Sequence, residues 1–132
     1  MVVGINGASG FIGYHLWAYL TYKCVDVDEV IRLDRDLTQD LVNLKNCDIV
    51  VHMAERNRGD DAEKLYEQNI KSAQALMDAL DLCHAQPKIV YTSSTHMYDD
   101  NLYGKWRREN IKALKKFTDD FVYCMIPNVF GP

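Results

Sequence analysis

This chain has no long apolar run, no paired cysteines and no surplus of positive charge, and each absence closes off a class of function. No window approaches the roughly 20 apolar residues that cross a bilayer. The first residues read as the start of a strand and not as a charged leader before an apolar stretch, so no membrane partner is expected. The net charge of -4 argues against a nucleic-acid partner. The four cysteines (Cys24, Cys47, Cys83, Cys124) include no Cys-x-x-Cys pair, and His15, His52, His84 and His96 show no ligand spacing. Neither a disulfide framework nor a metal site is expected. Cys47 and Cys124 flank predicted core strands and read as reduced packing residues of a cytoplasmic protein. There is no repeat, low-complexity run or linker. With 132 residues, 48% of them hydrophobic, the chain can bury one core, so residues 1–132 are expected to form a single domain.

What is present is a ladder of glycines at the start: Gly4, Gly7, Gly10 and Gly13. Residues 1–6 read as a buried strand and 11–20 as a helix with Ile12, Leu16 and Leu20 on one face. The last three glycines therefore occupy the strand-to-helix turn. Such a turn needs one glycine to bend tightly, one to let backbone N–H groups approach a pyrophosphate, and one to pack helix against strand. The helix N-terminus adds partial positive charge for the phosphates. About twenty residues beyond Gly13, a short apolar strand ends in Asp34, the spacing at which a carboxylate accepts the adenosine ribose hydroxyls. Asp34 favours NAD. Arg35, next to it, can accommodate a 2′-phosphate, so NADP is the alternative.

Strand and helix signals alternate along the chain, the pattern of a doubly wound parallel α/β sheet, the Rossmann arrangement. Strands are expected at 29–34, 48–54, 88–94 and 121–126, and helices at 61–84 and 103–118, with at most a short helix within 37–46. Leu65, Ala73, Leu76 and Leu80 mark the buried face of the long helix. In the last helix Trp106, Asn110, Ala113, Leu114 and Phe117 form the inner face. Lys105, Arg108, Lys112, Lys115 and Lys116 lie mostly opposite, as a solvated basic side. Ligands of open parallel sheets bind beyond the C-terminal strand ends. Those ends carry Ala54, then Thr92-Ser93-Ser94, then Pro127-Asn128. Tyr103 and Arg107 follow one helical turn apart. A hydroxyl, a phenol and a cation make an acid/base set, because a nearby cation stabilises phenolate. Asn57, Arg58, Asn69, His96 and Tyr98 are candidates for ligand contact or for ordinary loop and packing roles.

Taken in order, Gly7-x-x-Gly10-Phe-Ile-Gly13, Val50-Val-His-Met-Ala54, Asn69, Tyr91-Thr-Ser-Ser94-x-x-x-Tyr98, Tyr103-Gly and Pro127-Asn-Val-Phe-Gly131 resemble the extended short-chain dehydrogenase/reductases, the NAD-dependent epimerase/dehydratases of nucleotide sugars. The resemblance implies an NAD(P)-dependent oxidoreductase acting on a nucleotide-sugar substrate. Ser94 would hydrogen-bond the substrate carbonyl, Tyr103 would donate or accept the proton, and Asn128 would contact the substrate. Gly7, Gly10, Phe11, Ile12, Gly13, Asp34, Arg35, Ala54 and Pro127 would hold the cofactor, and a homodimer would fit the family. Short spacings from Ser94 to Tyr103 and from Asp34 to Asp48, with His52-Met-Ala-Glu-Arg-Asn57-Arg58, are most similar to reductases of UDP-linked 4-keto-hexoses in the L-fucosamine pathway. Reductases of dTDP-4-dehydrorhamnose are a looser match. Arg107 stands where the family's Tyr-x-x-x-Lys pattern has lysine, and Met125 where arginine is common. The family's substrate-binding lobe is expected to be absent from these residues. A non-catalytic NAD(P)-binding module, or a fragment of such an enzyme, is the alternative reading.

Overall fold

The structure, a computed structural model, describes residues 1–130. Gly131 of the expected strand-end motif lies outside the described residues. Five short runs rich in Val and Ile form parallel strands: β1 (Val2–Asn6), β2 (Glu29–Leu33), β3 (Ile49–His52), β4 (Lys88–Ser94) and β5 (Phe121–Ile126). Parallel neighbours need crossovers. Those are supplied by α1 (Phe11–Lys23), α2 (Leu41–Asn46), α3 (Ala62–Leu82) and α4 (Leu102–Phe117), with 3-10 turns at Leu37–Gln39 and Thr95–Tyr98. The strand order is β2-β1-β3-β4-β5, a Rossmann-like α/β sheet.

The chain leaves β1 in one direction to make β2, then returns past β1 to β3 and continues to β5. Right-handed crossovers that run in opposite directions lie on opposite faces. This is why α1 stands alone on one face while α2, α3 and α4 share the other. The shared face holds the larger core, with Leu33, Leu44, Val50, Leu76, Leu80, Ile89, Tyr91 and Leu114 buried in one cluster. The α1 face holds a smaller one of Val3, Ile5, Ala8 and Val51, with Leu16, Trp17 and Leu20 packed against it.

Most expected elements appear within a few residues of their predicted ends, and Leu65, Ala73, Leu76 and Leu80 are buried as the helical spacing predicted. Three expectations need correction. Ile12 does not join Leu16 and Leu20 in the core but is exposed at the helix start, because the first turn of α1 projects beyond the sheet. Cys124 is exposed and not packed, because β5 is an edge strand. Arg108 is not a solvated charge: it donates to the carbonyls of Met97 at 2.7 Å and Asp99 at 2.9 Å, tying the Thr95–Tyr98 turn to α4.

Candidate cofactor and active site

The register brings the ends of β1 and β3 level, with Asn6 paired to His52 and the Met53 N–H donating to the Asn6 carbonyl at 2.8 Å. Gly7 thus runs against the start of the next loop. Its φ of 96° is in the left-handed region, and a Cβ there would lie 2.6 Å from the Met53 carbonyl carbon. Gly13 is fixed by packing, since a Cβ would strike the Gly7 carbonyl oxygen. Gly10 differs from both. A Cβ there would meet only the Gly7 oxygen, at 3.5 Å, and would otherwise project into open space. Gly10 also caps α1 without any side-chain acceptor. Among the described residues the N–H groups of Phe11, Ile12 and Gly13 find no hydrogen-bond acceptor. A bare helix N-terminus behind a glycine that leaves room is what a pyrophosphate requires, so the residues present fit a dinucleotide.

Two cavities meet at this turn and share Gly7, Gly10, Met53 and Glu55 as their common wall. One, of about 810 Å³, opens between the ends of β2 and β3 and is lined by Arg32, Arg35, Ala54 and Arg56, with Ser72 behind them. Asp34 does not line it. Its Oδ1 accepts the Asp36 N–H at 2.9 Å, closing a turn within its own loop, and its N–H donates to Asp40 Oδ2 at 2.8 Å. The loop after β3 is bolted to the helices beneath. Asn69, buried on α3, accepts the Arg56 N–H at 2.9 Å and donates to the Arg56 carbonyl at 2.8 Å. Ser72 donates to the Ala54 carbonyl at 2.5 Å. Asn69 therefore holds backbone, one of the two roles its sequence position allowed.

The second cavity, of about 920 Å³, lies beyond β4 and β5. It gathers Phe11, Ile12, Gly13, Ser94, Tyr103, Arg107, Pro127 and Asn128, with His96, Asn57 and Arg58 also on its wall. Tyr98 is exposed and does not line it. Ser94 Oγ accepts the His96 N–H at 3.1 Å, which leaves its own hydrogen free to donate. Asn101 caps α4 by accepting the Gly104 N–H at 2.9 Å, and Gly104 lies so close to the Asp99 carbonyl that no Cβ fits. That cap sets Tyr103 in the first turn of α4, facing the cavity.

Arg107 is buried and its fork is engaged. It donates to the Tyr103 carbonyl at 2.9 Å and to Asn57 Oδ1 at 3.0 Å, and its guanidinium lies 4.8 Å from the centre of the Trp106 ring. Glu55 sits nearby, and sequence reasoning missed it. Its carboxylate accepts from Tyr91 Oη at 2.5 Å and from Asn110 at 3.1 Å. Burial pushes the Glu55 carboxyl above its ordinary range, against the pull of the Tyr91 bond and the Arg107 charge. Arg56 was missed too. The available signal was a pair of opposite charges directly after a buried strand, on the ligand side of the sheet. Elsewhere, burial and nearby carboxylates push the Cys47 thiol up to about 11, so it remains a thiol. Among the described residues no helix is long and apolar enough to cross a membrane.

A model of the NAD dependent epimerase/dehydratase family matches residues 3–124. A UDP-2-acetamido-2,6-beta-L-arabino-hexul-4-ose reductase of Pseudomonas aeruginosa is 30% identical over 137 aligned positions, covering 99% of this chain and 36% of that protein. Among solved structures, the capsular polysaccharide assembling protein CapF of Staphylococcus aureus superposes with a TM-score of 0.76 at 25% identity, over 99% of this chain and 37% of CapF. RMD of Pseudomonas aeruginosa, solved with NADPH, gives 0.82 at 18% identity, over 100% of this chain and 56% of RMD. A UDP-glucuronic acid 4-epimerase of Bacillus cereus, solved with NAD, gives 0.77 at 19% identity, over 100% of this chain and 58% of that enzyme. The chain thus spans well under two thirds of the length of these relatives. Its cofactor class is NAD(P), and the chain belongs to the NAD dependent epimerase/dehydratase family.

Proposed function

We propose that this chain is the cofactor-binding and proton-transferring half of a cytoplasmic nucleotide-sugar oxidoreductase, and that the reaction is reduction of a UDP-linked 4-keto sugar. The observation that carries this is the second cavity, which places Ser94 and Tyr103 on one wall, continuous through the glycine turn with a site for the dinucleotide. A bound reduced nicotinamide supplies the hydride that converts the keto carbon to an alcohol carbon. The chain's own residues handle the oxygen. Ser94 donates a hydrogen bond to the carbonyl, and the Tyr103 hydroxyl delivers the proton that completes the alcohol. Asn128, which lines the same cavity beyond β5, would contact the nucleotide sugar. The substrate class rests on the reductase of Pseudomonas aeruginosa, whose name specifies a UDP-linked 4-ulose.

Arg107 supports a second reading. In place of a lysine ammonium free to touch phenol and ribose, both terminal guanidinium nitrogens donate elsewhere, to the Tyr103 carbonyl and to Asn57 Oδ1. A module that binds the cofactor without turning over substrate fits this geometry. Assaying wild type and Tyr103→Phe on a UDP-4-keto-hexose separates the two. Turnover by wild type, lowered at least 100-fold in the variant with cofactor affinity unchanged, supports the enzyme. No wild-type turnover, with cofactor still bound, leaves only the module.

A further inference from the structure

Glu55 lies on the wall common to both cavities, and the groups around its carboxylate are donors. Tyr91 Oη donates to it at 2.5 Å from β4, and Asn110 donates at 3.1 Å from α4. The indole N–H of buried Trp106 stands close by without completing a hydrogen bond. The guanidinium of Arg107 adds a full positive charge. Donors from two elements, with a cation beside them, are what an ionised carboxylate requires in a dry site.

Arg107 needs the same partnership, because a buried guanidinium without a counter-charge is costly. Its terminal nitrogens donate to neutral oxygens, the Tyr103 carbonyl and Asn57 Oδ1, so neither bond cancels its charge. Among the described residues no ion pair sets a carboxylate directly against it. Glu55 is the carboxylate that feels its charge, at a distance and not through contact. The other charged groups near this wall are occupied or screened. His96 and Asp99 pair with each other at 3.1 Å, and Arg108 donates to the carbonyls of Met97 and Asp99. Arg58 is exposed, where water and salt screen it. Tyr103 stands one helical turn before Arg107, and both pack on Trp106. The tyrosine ring centre lies 5.0 Å from the indole and the guanidinium 4.8 Å from it. The phenol therefore feels whatever net charge Glu55 and Arg107 together present.

We propose that Glu55 is the counter-charge of Arg107 and acts through it as a positioning residue, setting the field in which the Tyr103 hydroxyl gives up its proton. The proposal rests on the reading of Tyr103 as the proton-transferring group. An uncompensated guanidinium beside a phenol stabilises phenolate and loosens its hold on the proton. With Glu55 nearby, the cation stays packed beneath Tyr103 while much of its field is offset. That suits a phenol which must meet the keto oxygen still protonated. Hydride from the reduced nicotinamide adds to the carbonyl carbon, the Tyr103 O–H bond breaks as the alcohol O–H bond forms, and water reprotonates the phenolate.

Carbon NMR of the tyrosine rings in the 132-residue chain, with Tyr103→Phe identifying the resonance, reads the Tyr103 titration without substrate or cofactor. Glu55→Gln keeps an acceptor for Tyr91 and Asn110 while removing the charge, and should lower the midpoint by about one pH unit. Arg107→Met should raise it by a similar amount, and the double variant should return it to within about 0.3 unit of wild type. The step from Arg107→Met to the double variant reads the Glu55 charge even where Glu55→Gln alone, its buried cation unpaired, does not fold. Glu55→Asp, which retains the charge, should stay nearer to wild type than Glu55→Gln. Circular dichroism confirms the fold of each variant. A purely structural Glu55 would leave the midpoint in place. A midpoint unmoved by removing the Glu55 charge, in the wild-type or the Arg107→Met background, would overturn the proposal. Turnover of a UDP-4-keto-hexose tests the reading beneath it, since its alkaline limb should follow the NMR midpoint. A limb that stays while the midpoint moves would take proton transfer away from Tyr103 and leave the counter-charge standing.

Discussion

Strands β1 and β5 belong to one sheet but live in different surroundings. From Val3 to Asn6 every residue of β1 is buried, whereas β5 is exposed at each of its four inner positions, Val122 to Met125. Strand β4 stands between these extremes, with buried and half-buried residues alternating along its length. The cause is the winding of the chain. The β2-β1-β3 half has α1 on one face and α2 with α3 on the other, while the β4-β5 half has only α4 with part of α3, on one face. The β2-β1-β3 half is therefore finished on both faces, and its loops are held by paired side-chain and backbone bonds. Ser94 and Tyr103 sit at the border, on the side where the sheet has a single covering layer. Cofactor binding and fold stability should accordingly depend on the first half, and substrate handling on the second.

The largest effects belong to the turn at the centre of the finished half, where two glycines should fail in different ways. Gly7→Val forces a β-branched residue to positive φ and drives its Cβ into the Met53 peptide, so the chain is expected not to fold. Gly10→Val meets no such obstacle, because the position opens on the cavity and its backbone is extended. Its side chain occupies the space a phosphate needs. The expected outcome is a folded protein whose NADPH and NADH affinities both fall at least 100-fold, read by fluorescence titration beside circular dichroism. Unchanged affinity in that variant would remove the glycine turn from the cofactor site.

The same contrast explains which features were legible in the sequence. Apolar runs of four to seven residues separated by helical spacing mark the strands, most plainly β1, β3 and β4, whose residues are largely buried or half-buried. The glycine spacing marks the turn, because at Gly7 and Gly13 no other residue tolerates the backbone contacts. What was not legible depends on neighbours distant in sequence. Cys124 looks like a core residue in an apolar strand, and only the absence of a covering layer over β5 exposes it. Asp34 has the spacing of a ribose ligand, and the spacing does not show that its Oδ1 accepts the Asp36 N–H in its own loop. Glu55 gains its meaning from Tyr91 and Asn110, which fold onto it from another strand and another helix. Residues set by local backbone rules were readable, and side chains set by tertiary partners were not.

A second test probes the dryness of the border between the halves. His52 at the end of β3 is fully buried, stacked 6.0 Å from Tyr91 of β4, and neither ring nitrogen has a hydrogen-bond partner. Burial pushes its pKa down to about 4 from an ordinary 6.5. Above pH 6.5 the ring is neutral in both folded and unfolded chains and contributes no pH dependence. Below it the unfolded chain takes up the proton first, so stability falls as pH drops towards 4, by about 3 kcal/mol in all. Glu55 acts in the opposite sense, since its raised pKa lets the folded state take up a proton first. Comparing wild type with His52→Leu isolates the histidine. Urea midpoints between pH 7.5 and 4 should fall more steeply for wild type, and parallel pH profiles would mean that water reaches the ring.

The smallest expected effect lies in the unfinished half, and its smallness is the point. Val122 is 46% exposed and Met125 49%, on opposite faces of an edge strand. Truncating a buried leucine such as Leu80 should cost 2–5 kcal/mol, as is usual for cores. Val122→Thr keeps β-branching, and with it the strand preference, while exchanging a methyl group for a hydroxyl already next to water. Its effect on stability should stay within about 0.5 kcal/mol, as should that of Met125→Gln. Thermal denaturation at two protein concentrations, beside light scattering, reads both stability and association. A loss above about 1.5 kcal/mol that grows with protein concentration would mean that a second copy covers β5 in solution. A loss of that size independent of concentration would mean that β5 is packed within the chain. A neutral result leaves the two halves as unequal in energy as they are in burial.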